Sequence, residues 1–223
     1  MPSPTPRRPG RPARLHRNEV LRAAVDLADR DGLERVTMRT VARRLRAEAM
    51  SLYRHVANKE DLLDGMVDLV FAEIEVPSAD TGWKAAMRER AVSAREVLVR
   101  HPWAIALMES RAVPGPANLR HHDAVVAVLL GAGFSSTEVT RVYNLLDSYI
   151  YGFAIQEQAL PVATPEELAA FGDEILARLP ADEYPHLARV SRELLDSGFD
   201  YRAEFEAGLD IVLDALEARY PGR

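Results

Sequence analysis

The segment from Thr37 to Lys59, TMRTVARRLRAEAMSLYRHVANK, constrains the fold more than any other part of the chain. Thr37 is a residue type that caps helix N-termini. Apolar residues then recur at helical spacing, at Val41, Ala42 and Leu45. The arginines outside this stripe, which must face water or a polyanion, are Arg39, Arg43, Arg44 and Arg46. The spacing predicts a short helix with one packed face and one positively charged face.

A second short helix is predicted from about Ala49 to Val56, after a turn near Arg46. Leu52 and Val56 should point inward, and Asn58 should cap a third helix. The residues expected to point outward are Met50, Ser51, Tyr53, Arg54 and His55. The major groove of DNA is about 12 Å wide and admits one helix. A helix, a tight turn, a second helix and a following scaffold helix therefore predict a reader of the major groove.

The run LRAEAMSLYRHVANKEDLL resembles the signature of the TetR family of bacterial transcription regulators. The resemblance covers Asn18 to Leu63 and extends more weakly through GFSSTEV, PHLARV and FEAGLDIVLDAL. It implies an all-α fold, with an N-terminal three-helix DNA-binding head containing a helix-turn-helix and a larger C-terminal helical ligand-binding and dimerisation bundle. On this basis residues 1–17 form a basic arm expected to be disordered, residues 18–63 the DNA-binding domain and residues 64–223 the regulatory domain.

The resemblance also assigns the DNA contacts by position. They are Arg39 at the start of the first helix, then Ala49, Met50, Ser51, Tyr53, Arg54 and His55, with Lys59 on phosphate. Two residues depart from the family pattern. Arg46 stands at a turn position that glycine usually holds, and it can adopt a left-handed backbone only at some cost. Glu48 replaces the usual Ser or Thr cap of the recognition helix.

Charge is distributed unevenly along the chain. Residues 1–60 carry fourteen Lys and Arg against seven Asp and Glu, whereas the whole chain has a net charge of −6. A basic N-terminal part on an acidic chain fits binding to DNA phosphates with release of counterions. Within the arm, Arg8 and Arg11 flank Pro-Gly in a piece that resembles minor-groove inserts. Loose phosphate contact and an inert tail remain the alternatives.

Composition excludes several other classes. The absence of cysteine rules out disulfides and thiolate metal sites, and it is compatible with the expected cytoplasmic location. The chain contains no run of about eighteen apolar residues, so no membrane-spanning helix is predicted. A signal peptide has an apolar run after its positively charged start, and no such run follows the N-terminal arginines of this chain. We therefore expect neither membrane nor cofactor as a partner.

The remainder of the chain shows helical patterns and no strand signal. Helices are predicted near residues 60–76, 81–100, 102–111, 117–131, 136–158, 165–179, 185–196 and 201–219. Ser135 with Glu138, and Thr164 with Glu167, form capping boxes. Gly198 can end a helix in the left-handed conformation. Short connections favour antiparallel packing in a bundle.

Two predicted helices, at 136–158 and 201–219, are too apolar for the surface of a monomer. The resemblance implies that they pair across a twofold axis in a homodimer. The residues expected at this interface are Leu145, Tyr149, Gly152, Gly208, Ile211 and Ala215. The alternative is that both helices are central to one large core. A dimer would present two reading heads to a palindromic operator.

An effector cavity is expected in the C-terminal bundle. Its apolar lining is predicted at Trp103, Met108, Val125 and Tyr143, and its polar anchors at Asn118, His122, Asp147 and the partner's Gln156. Each of these residues could instead be ordinary core. Met108 stands where the family resemblance places a metal-binding histidine, which argues against a tetracycline chelated to magnesium. His121 and His122 are adjacent and point to different helix faces, and no nearby histidine or carboxylate pair at i, i+4 spacing completes a metal site with them.

These observations favour a dimeric repressor that an unidentified, largely apolar small molecule releases from DNA. The helix from Glu60 to Ile74 would act as the hinge. A ligand-independent architectural DNA-binding protein is the alternative. An enzyme is disfavoured because the chain has no glycine-rich phosphate loop, no serine elbow and no Glu-x-x-His pair on facing helices.

Overall fold

The computed structural model describes residues 15–110, 113–160 and 165–221, and these residues form eleven α-helices and no strand. The all-α class predicted from the sequence is confirmed. The helices are α1 (Arg17–Asp31), α2 (Met38–Arg44), α3 (Ala49–Leu52), α4 (Lys59–Phe71), α5 (Trp83–Arg100), α6 (Ala104–Ser110), α7 (Pro116–Gly131), α8 (Ser136–Gln158), α9 (Pro165–Arg178), α10 (Pro185–Ser197) and α11 (Tyr201–Arg219). Within the described ranges, no helix has the length and apolarity to cross a membrane.

Helices α1 to α3 form a small head, and α4 packs against α1. The apolar stripe of α1 is buried along its whole length and consists of Val20, Leu21, Ala23, Ala24, Val25, Leu27 and Ala28. Val41 from α2 and Leu52 from α3 are completely buried in the same core. Burying such aliphatic side chains stabilises the head by roughly 1.5–3 kcal/mol each. Packing therefore compensates for the low intrinsic stability of helices as short as α2 and α3.

Helix α5 is central to the body, which comprises α5 to α11, and it contacts α7, α8 and α11. Two arginines lie on its buried stripe. Arg90 donates to Asp147 at 2.6 Å, and Arg95 makes a bidentate pair with Glu157 at 3.0 and 2.5 Å. Both carboxylates belong to α8. Two partly buried ion pairs thus join α5 to α8, and removing either partner would leave a charge unpaired.

Local signals for helix ends are present where they were predicted. Ser135 donates its backbone N–H to Glu138 at 2.7 Å and accepts the Glu138 N–H at 3.4 Å, which completes a capping box. Gly198 ends α10 with φ of +76°, in the left-handed conformation. The capping box predicted at Thr164 lies outside the described residues.

Two helices end four or five residues earlier than predicted. Helix α3 ends at Leu52 and not at Val56, since Arg54 and His55 donate to carbonyls three residues back in a tighter turn. The chain must then become extended at Asn58, which caps α4 through the Asp61 N–H at 2.8 Å. Val56 is nevertheless buried, as predicted.

Helix α4 ends at Phe71 instead of residue 76. Glu73 and Ile74 again donate to carbonyls three residues back, and Pro77 disfavours helix at the residue before it. The predicted hinge thus consists of a regular helix to Phe71 and a tightened turn to Ile74, whose side chain is buried.

Candidate nucleic-acid interface and effector site

The first helix of the head motif begins as its sequence predicts. Thr37 accepts the Thr40 N–H at 3.1 Å, and the Thr37 N–H donates back to the Thr40 hydroxyl at 2.9 Å. This is a capping box with threonine in place of the usual Glu or Gln. Arg39, in the first turn of α2, is exposed.

The turn between α2 and α3 is a Schellman motif. Ala47 N donates to Ala42 O at 2.9 Å, and Arg46 N donates to Arg43 O at 3.2 Å. Arg46 has φ of +52° and is the one non-glycine residue with positive φ in the described part of the chain. The left-handed backbone that the glycine position demands is therefore adopted by arginine, at a cost of about 1 kcal/mol.

Helix α3 and the three residues after it present their side chains unevenly. Met50 is 74% exposed, and Tyr53 and Arg54 are also exposed, whereas Ala49, Ser51 and His55 are half-buried. The Ser51 hydroxyl donates to Glu48 O at 2.6 Å. Glu48 makes no side-chain capping bond at the start of α3. Of the residues at 49–55 that are expected to read DNA, Met50, Tyr53 and Arg54 are thus the most accessible.

A group of cations on the head and at the start of α4 carries no ion pair within the described residues. Its members are Arg39, Arg43, Arg46, Arg54 and Lys59. Arg44 differs from them because it pairs with Asp26 of α1 at 3.1 Å. Arg44 is nevertheless exposed, so it faces water as expected while it pairs with Asp26. Arg8 and Arg11 of the predicted arm lie outside the described residues.

An ion pair that the sequence did not reveal fixes the end of the recognition segment. Arg17 of α1 donates to both carboxylate oxygens of Asp61, at 2.9 and 2.6 Å, and to His55 O at 2.8 Å. Asp61 also accepts the Ala57 N–H at 2.7 Å. The hydrogen bond from Arg17 lowers the pKa of Asp61. One arginine thus ties α1, the segment after α3 and α4 together.

In the body, a polar cluster forms around Arg90, which is only 2% exposed. Arg90 donates from Nε to His121 Nε2 at 2.9 Å and from Nη2 to Asp147 at 2.6 Å. Its guanidinium carbon lies 5.3 Å from the centre of the Tyr143 ring. The Tyr143 ring stacks on His122, with centroids 5.1 Å apart. We call these five residues the Arg90 cluster.

The protonation states in the Arg90 cluster follow from its contacts. Burial, followed by the charge of Arg90, lowers the pKa of His121 to about 3, so the imidazole is neutral. Burial also raises the pKa of Tyr143, which therefore keeps its proton. His122 contacts Asn118 O through Nδ1 at 3.0 Å. The charge of Arg90 is balanced by Asp147 alone within this group.

The structure brings four of the eight predicted effector residues together, at Asn118, His122, Tyr143 and Asp147. Tyr143, His122 and Asp147 belong to the Arg90 cluster, Val125 is completely buried on α7, and Asn118 precedes His122 by one turn. Met108 is half-buried against the core. Gln156 is exposed near the end of α8, and its predicted role in a partner subunit stays a prediction.

Trp103 is placed elsewhere. Its indole N–H donates to Asp29 of α1 at 2.6 Å, so it joins the body to the head. The same carboxylate lies 2.8 Å from His101 Nδ1, and His101 Nε2 lies 3.2 Å from Glu73. Arg100 donates to Glu73 at 2.8 Å. We call these residues the junction. It has no local signature in the sequence because its members are spread over some 75 positions.

The sequence interpretation also missed Arg90, His121 and Phe71. The Phe71 ring lies 6.2 Å from the His121 ring and 6.0 Å from the His122 ring. A signal existed for Arg90, because it falls on the apolar stripe of α5. In the described residues no group of three or more His, Cys, Asp or Glu could hold a metal ion.

Helix α4 also contacts the start of α7. Asp68 accepts the backbone N–H groups of Ala117 and Asn118 at 2.8 and 3.0 Å, where the positive end of a helix dipole favours a carboxylate. A methyl group added at Gly115 would overlap the Asp68 side chain. Helix α4 is therefore held to α1 near its first turn and to α7 near its last.

The predicted dimer residues divide into two groups. Leu145, Ile211 and Ala215 are exposed, with Ile211 71% accessible. Tyr149 instead packs within its own chain and donates to Phe205 O at 2.9 Å. Gly208 lies against the Tyr149 hydroxyl, so a close approach of α8 and α11 inside one chain explains this glycine. Gly152 is half-buried with open space beside it.

Comparison with known proteins identifies two family models along the chain. Residues 20–66 match the model described as bacterial regulatory proteins, tetR family. Residues 76–220 match the tetracyclin repressor-like C-terminal domain. The first match covers the head and most of α4, and the second covers the body.

Curated proteins and solved structures agree with these matches. An HTH-type transcriptional regulator of Saccharopolyspora erythraea is 33% identical over 92% of this chain and 85% of its own length. The HTH-type transcriptional repressor DrrR1 of Streptomyces coeruleorubidus is 33% identical over 96% of this chain and 82% of its own. The crystal structure of the Streptomyces coelicolor TetR family protein ActR in complex with actinorhodin superposes with a TM-score of 0.76 and 26% identity, covering 94% of this chain and all of that one.

Proposed function

Because this chain belongs to the TetR family of bacterial regulatory proteins, we propose that it is a homodimeric repressor that releases a palindromic operator when a small molecule occupies the Arg90 cluster. One observation carries the proposal. Helix α4 contacts both sites, since Asp61 in its first turn fixes the recognition segment and Phe71 at its end lies against His121. A displacement at one end is therefore transmitted to the other.

We assign residues 18–63 to DNA binding and residues 64–223 to regulation. In the head, Met50, Tyr53 and Arg54 would contact base edges and the neighbouring backbone, because they are the exposed residues among 49–56 of α3 and the turn after it that were expected to read DNA. Arg39 and Lys59 would contact phosphates. Ala49, Ser51 and His55 are less accessible and would contribute shorter contacts. Action on DNA would place the protein in the cytoplasm.

Dimerisation would use the outer faces of α8 and α11. Leu145, Ile211 and Ala215 are apolar and exposed on adjacent helices, and Gly152 leaves room for a close approach. Exposed apolar surface of this kind is typical of subunit interfaces. Two heads related by a twofold axis could then read half-sites one helical turn of DNA, or a multiple of it, apart.

Two observations support effector binding: the composition of the Arg90 cluster and the descriptions of two similar proteins. DrrR1 is named a repressor, and ActR has been crystallised with actinorhodin. In this chain the buried polar side chains Arg90 and His121 and the half-buried Tyr143 lie among aromatic rings, which is the composition of a small-molecule site. A ligand changes operator affinity only if it binds the two states of the dimer unequally.

The test is footprinting of the purified protein on the DNA that flanks its own gene. We expect a palindromic footprint that weakens when a cognate effector is added. The variant Arg39→Glu/Arg54→Glu should lose the footprint, while the exposed double variant Arg178→Glu/Arg189→Glu in the body serves as the matched control for charge reversal. Unchanged binding by the Arg39/Arg54 variant would refute the assigned interface. A footprint that no effector alters would leave a ligand-independent DNA-binding protein.

A further inference from the structure

The recognition segment, residues 48–55, begins with side chains that offer DNA no free hydrogen-bond donor. These residues are Glu48, Ala49, Met50 and Ser51. Alanine and methionine side chains have no N–H or O–H group, and a carboxylate can only accept. The Ser51 hydroxyl donates its one proton to Glu48 O at 2.6 Å. Side-chain contacts from these four residues to base edges must therefore be apolar or must use a protein acceptor.

Met50 is the apolar side chain that projects into solvent from this part of the head. It is 74% exposed, which only Val113 equals among the large hydrophobic residues that the structure describes. Ala49 and Ser51 beside it are half-buried. Arg46 and Arg54, four residues before and after Met50, are exposed cations with no ion pair in the described ranges. Met50 is thus an apolar group on a surface whose charge is complementary to DNA phosphates.

The chemistry of base edges limits what such a side chain can recognise. In helix-turn-helix proteins the first residues of the recognition helix contact base edges in the major groove. The bases present donors and acceptors there, and the one apolar group among them is the C5 methyl of thymine. A thioether and a methyl group both leave water when they pack together, which is favourable. Polar base atoms placed against Met50 would instead lose hydration without gaining a partner.

We propose that Met50 selects a thymine in each half-site of the operator by packing against its C5 methyl group. This inference rests on the proposed function and specifies part of the DNA sequence that the head recognises. The exposed donors of the recognition segment come later, at Tyr53 and Arg54 in the turn after α3. The segment is therefore divided into a first part that reads a methyl group and a second part that can form hydrogen bonds.

The test starts from an operator that the purified full-length protein selects out of random-sequence duplexes. Each thymine of one half-site is then replaced by deoxyuridine, which lacks the C5 methyl group and keeps every hydrogen-bonding group of thymine. We expect at least one replacement to weaken binding about fourfold, the effect of taking one methyl-sized apolar group out of contact. Fluorescence anisotropy measures the affinities. A half-site in which no thymine responds to the loss of its methyl group would overturn the proposal.

The variant Met50→Ala assigns the methyl contact to this side chain. Because Met50 is largely exposed, the variant should keep the wild-type melting temperature. At the responding thymine, the effect of deoxyuridine should fall from about fourfold to less than about twofold. Val113→Ala, which shortens an equally exposed side chain in the body, is the control and should keep the full effect. A full effect that persists in Met50→Ala would show that another residue contacts the methyl group, and the proposal would be overturned.

The variant Met50→Gln gives a second readout that does not depend on modified bases. Glutamine can form two hydrogen bonds with adenine, whereas it has no apolar end to pack on a methyl group. A selection repeated with this variant should no longer enrich thymine at the responding position, and retention of that thymine would contradict the role of Met50. If the first selection enriches no sequence, the proposed function fails and this inference fails with it. An enriched palindrome without any methyl effect would refute the role of Met50 alone.

Discussion

Trp103 donates its indole N–H to the carboxylate of Asp29 across 2.6 Å, so a residue just before α6 in the body holds a residue on α1 of the head. Asp29 also faces His101 Nδ1 at 2.8 Å, and His101 faces Glu73 after α4. The head thus has two attachments to the body, one through α4 and one through this junction. A change in the body can reach the head through either.

Replacing Asp29 by alanine should weaken the second attachment. The change leaves the Trp103 N–H and His101 Nδ1 without their acceptor, which should lower the free energy of unfolding by about 1–3 kcal/mol. We also expect the effector to change operator affinity less in the variant. Urea unfolding and fluorescence anisotropy on operator DNA measure the two effects. Asp31→Ala, at an exposed position of α1, is the control, and equal losses in the two variants would contradict the importance of the junction.

His121 predicts a dependence of stability on pH. Its pKa is about 3 in the folded protein, whereas an unfolded histidine titrates near 6.5. Between these values the unfolded chain binds a proton that the folded chain does not, so the free energy of unfolding falls as pH decreases below about 6.5. His121 alone can change the free energy of unfolding by at most about 1.4 kcal/mol per pH unit.

The measurement is chemical unfolding between pH 5.0 and 7.5 in the wild type and in His121→Gln. Because Gln does not titrate and its oxygen can accept from Arg90, the variant should show a flatter profile. His186→Gln, at an exposed site on α10, should leave the profile as it is in the wild type. Parallel profiles for wild type and His121→Gln would show that His121 does not supply the effect.

Arg43 and Arg44 are neighbours on α2 with different surroundings. Arg44 pairs with Asp26, and Arg43 makes no ion pair within the described residues. Arg43 also lies one turn after Arg39, on the same face. We expect Arg43→Gln to weaken operator binding and to reduce the slope of log affinity against log salt by about 0.9, the value for one lost phosphate contact. Arg44→Gln should change that slope less. Fluorescence anisotropy titrations of operator DNA at several salt concentrations measure both slopes. A larger change of slope in Arg44→Gln than in Arg43→Gln would refute the assignment of Arg43 to a phosphate contact.

Gly115 should not tolerate a side chain. Its φ of −78° suits any residue, but the methyl group of Gly115→Ala would overlap the Asp68 carboxylate that caps α7. Loss of such a cap costs about 0.5–2 kcal/mol, and thermal unfolding should reveal it. Gly131→Ala at the other end of α7, where a Cβ meets open space, should cause no loss. Similar melting temperatures for both variants would contradict the role of Asp68.

Features that depend on interactions within a few residues of the chain could be predicted from the sequence, and features that depend on more distant residues could not. Thr37, Asn58 and Ser135 bond to groups three residues away, and each helix start was predicted to within about two residues. The turn at Arg46 was likewise recognised as a left-handed position. The boundaries that were wrong, at the ends of α3 and α4, depend on where the next segment must begin.

Side chains that bond across the fold were less accessible to such reasoning. The sequence predicts His122, Tyr143 and Asp147 as parts of one effector site, and the structure places all three around Arg90, which the sequence does not single out because an arginine within a charged helix is expected to face solvent. Trp103 was assigned to the effector site because it is aromatic. Its partner Asp29 lies 74 positions earlier in the chain.

By itself, the sequence determined the helix caps, the turn geometry, the apolar stripes and the basic head, since each arises from bonds or spacings within a few residues. Tertiary structure alone decided which charges are paired and how α4 connects the two sites. Those properties depend on which helices pack together, and a pairing over tens of residues has no local signature in the chain.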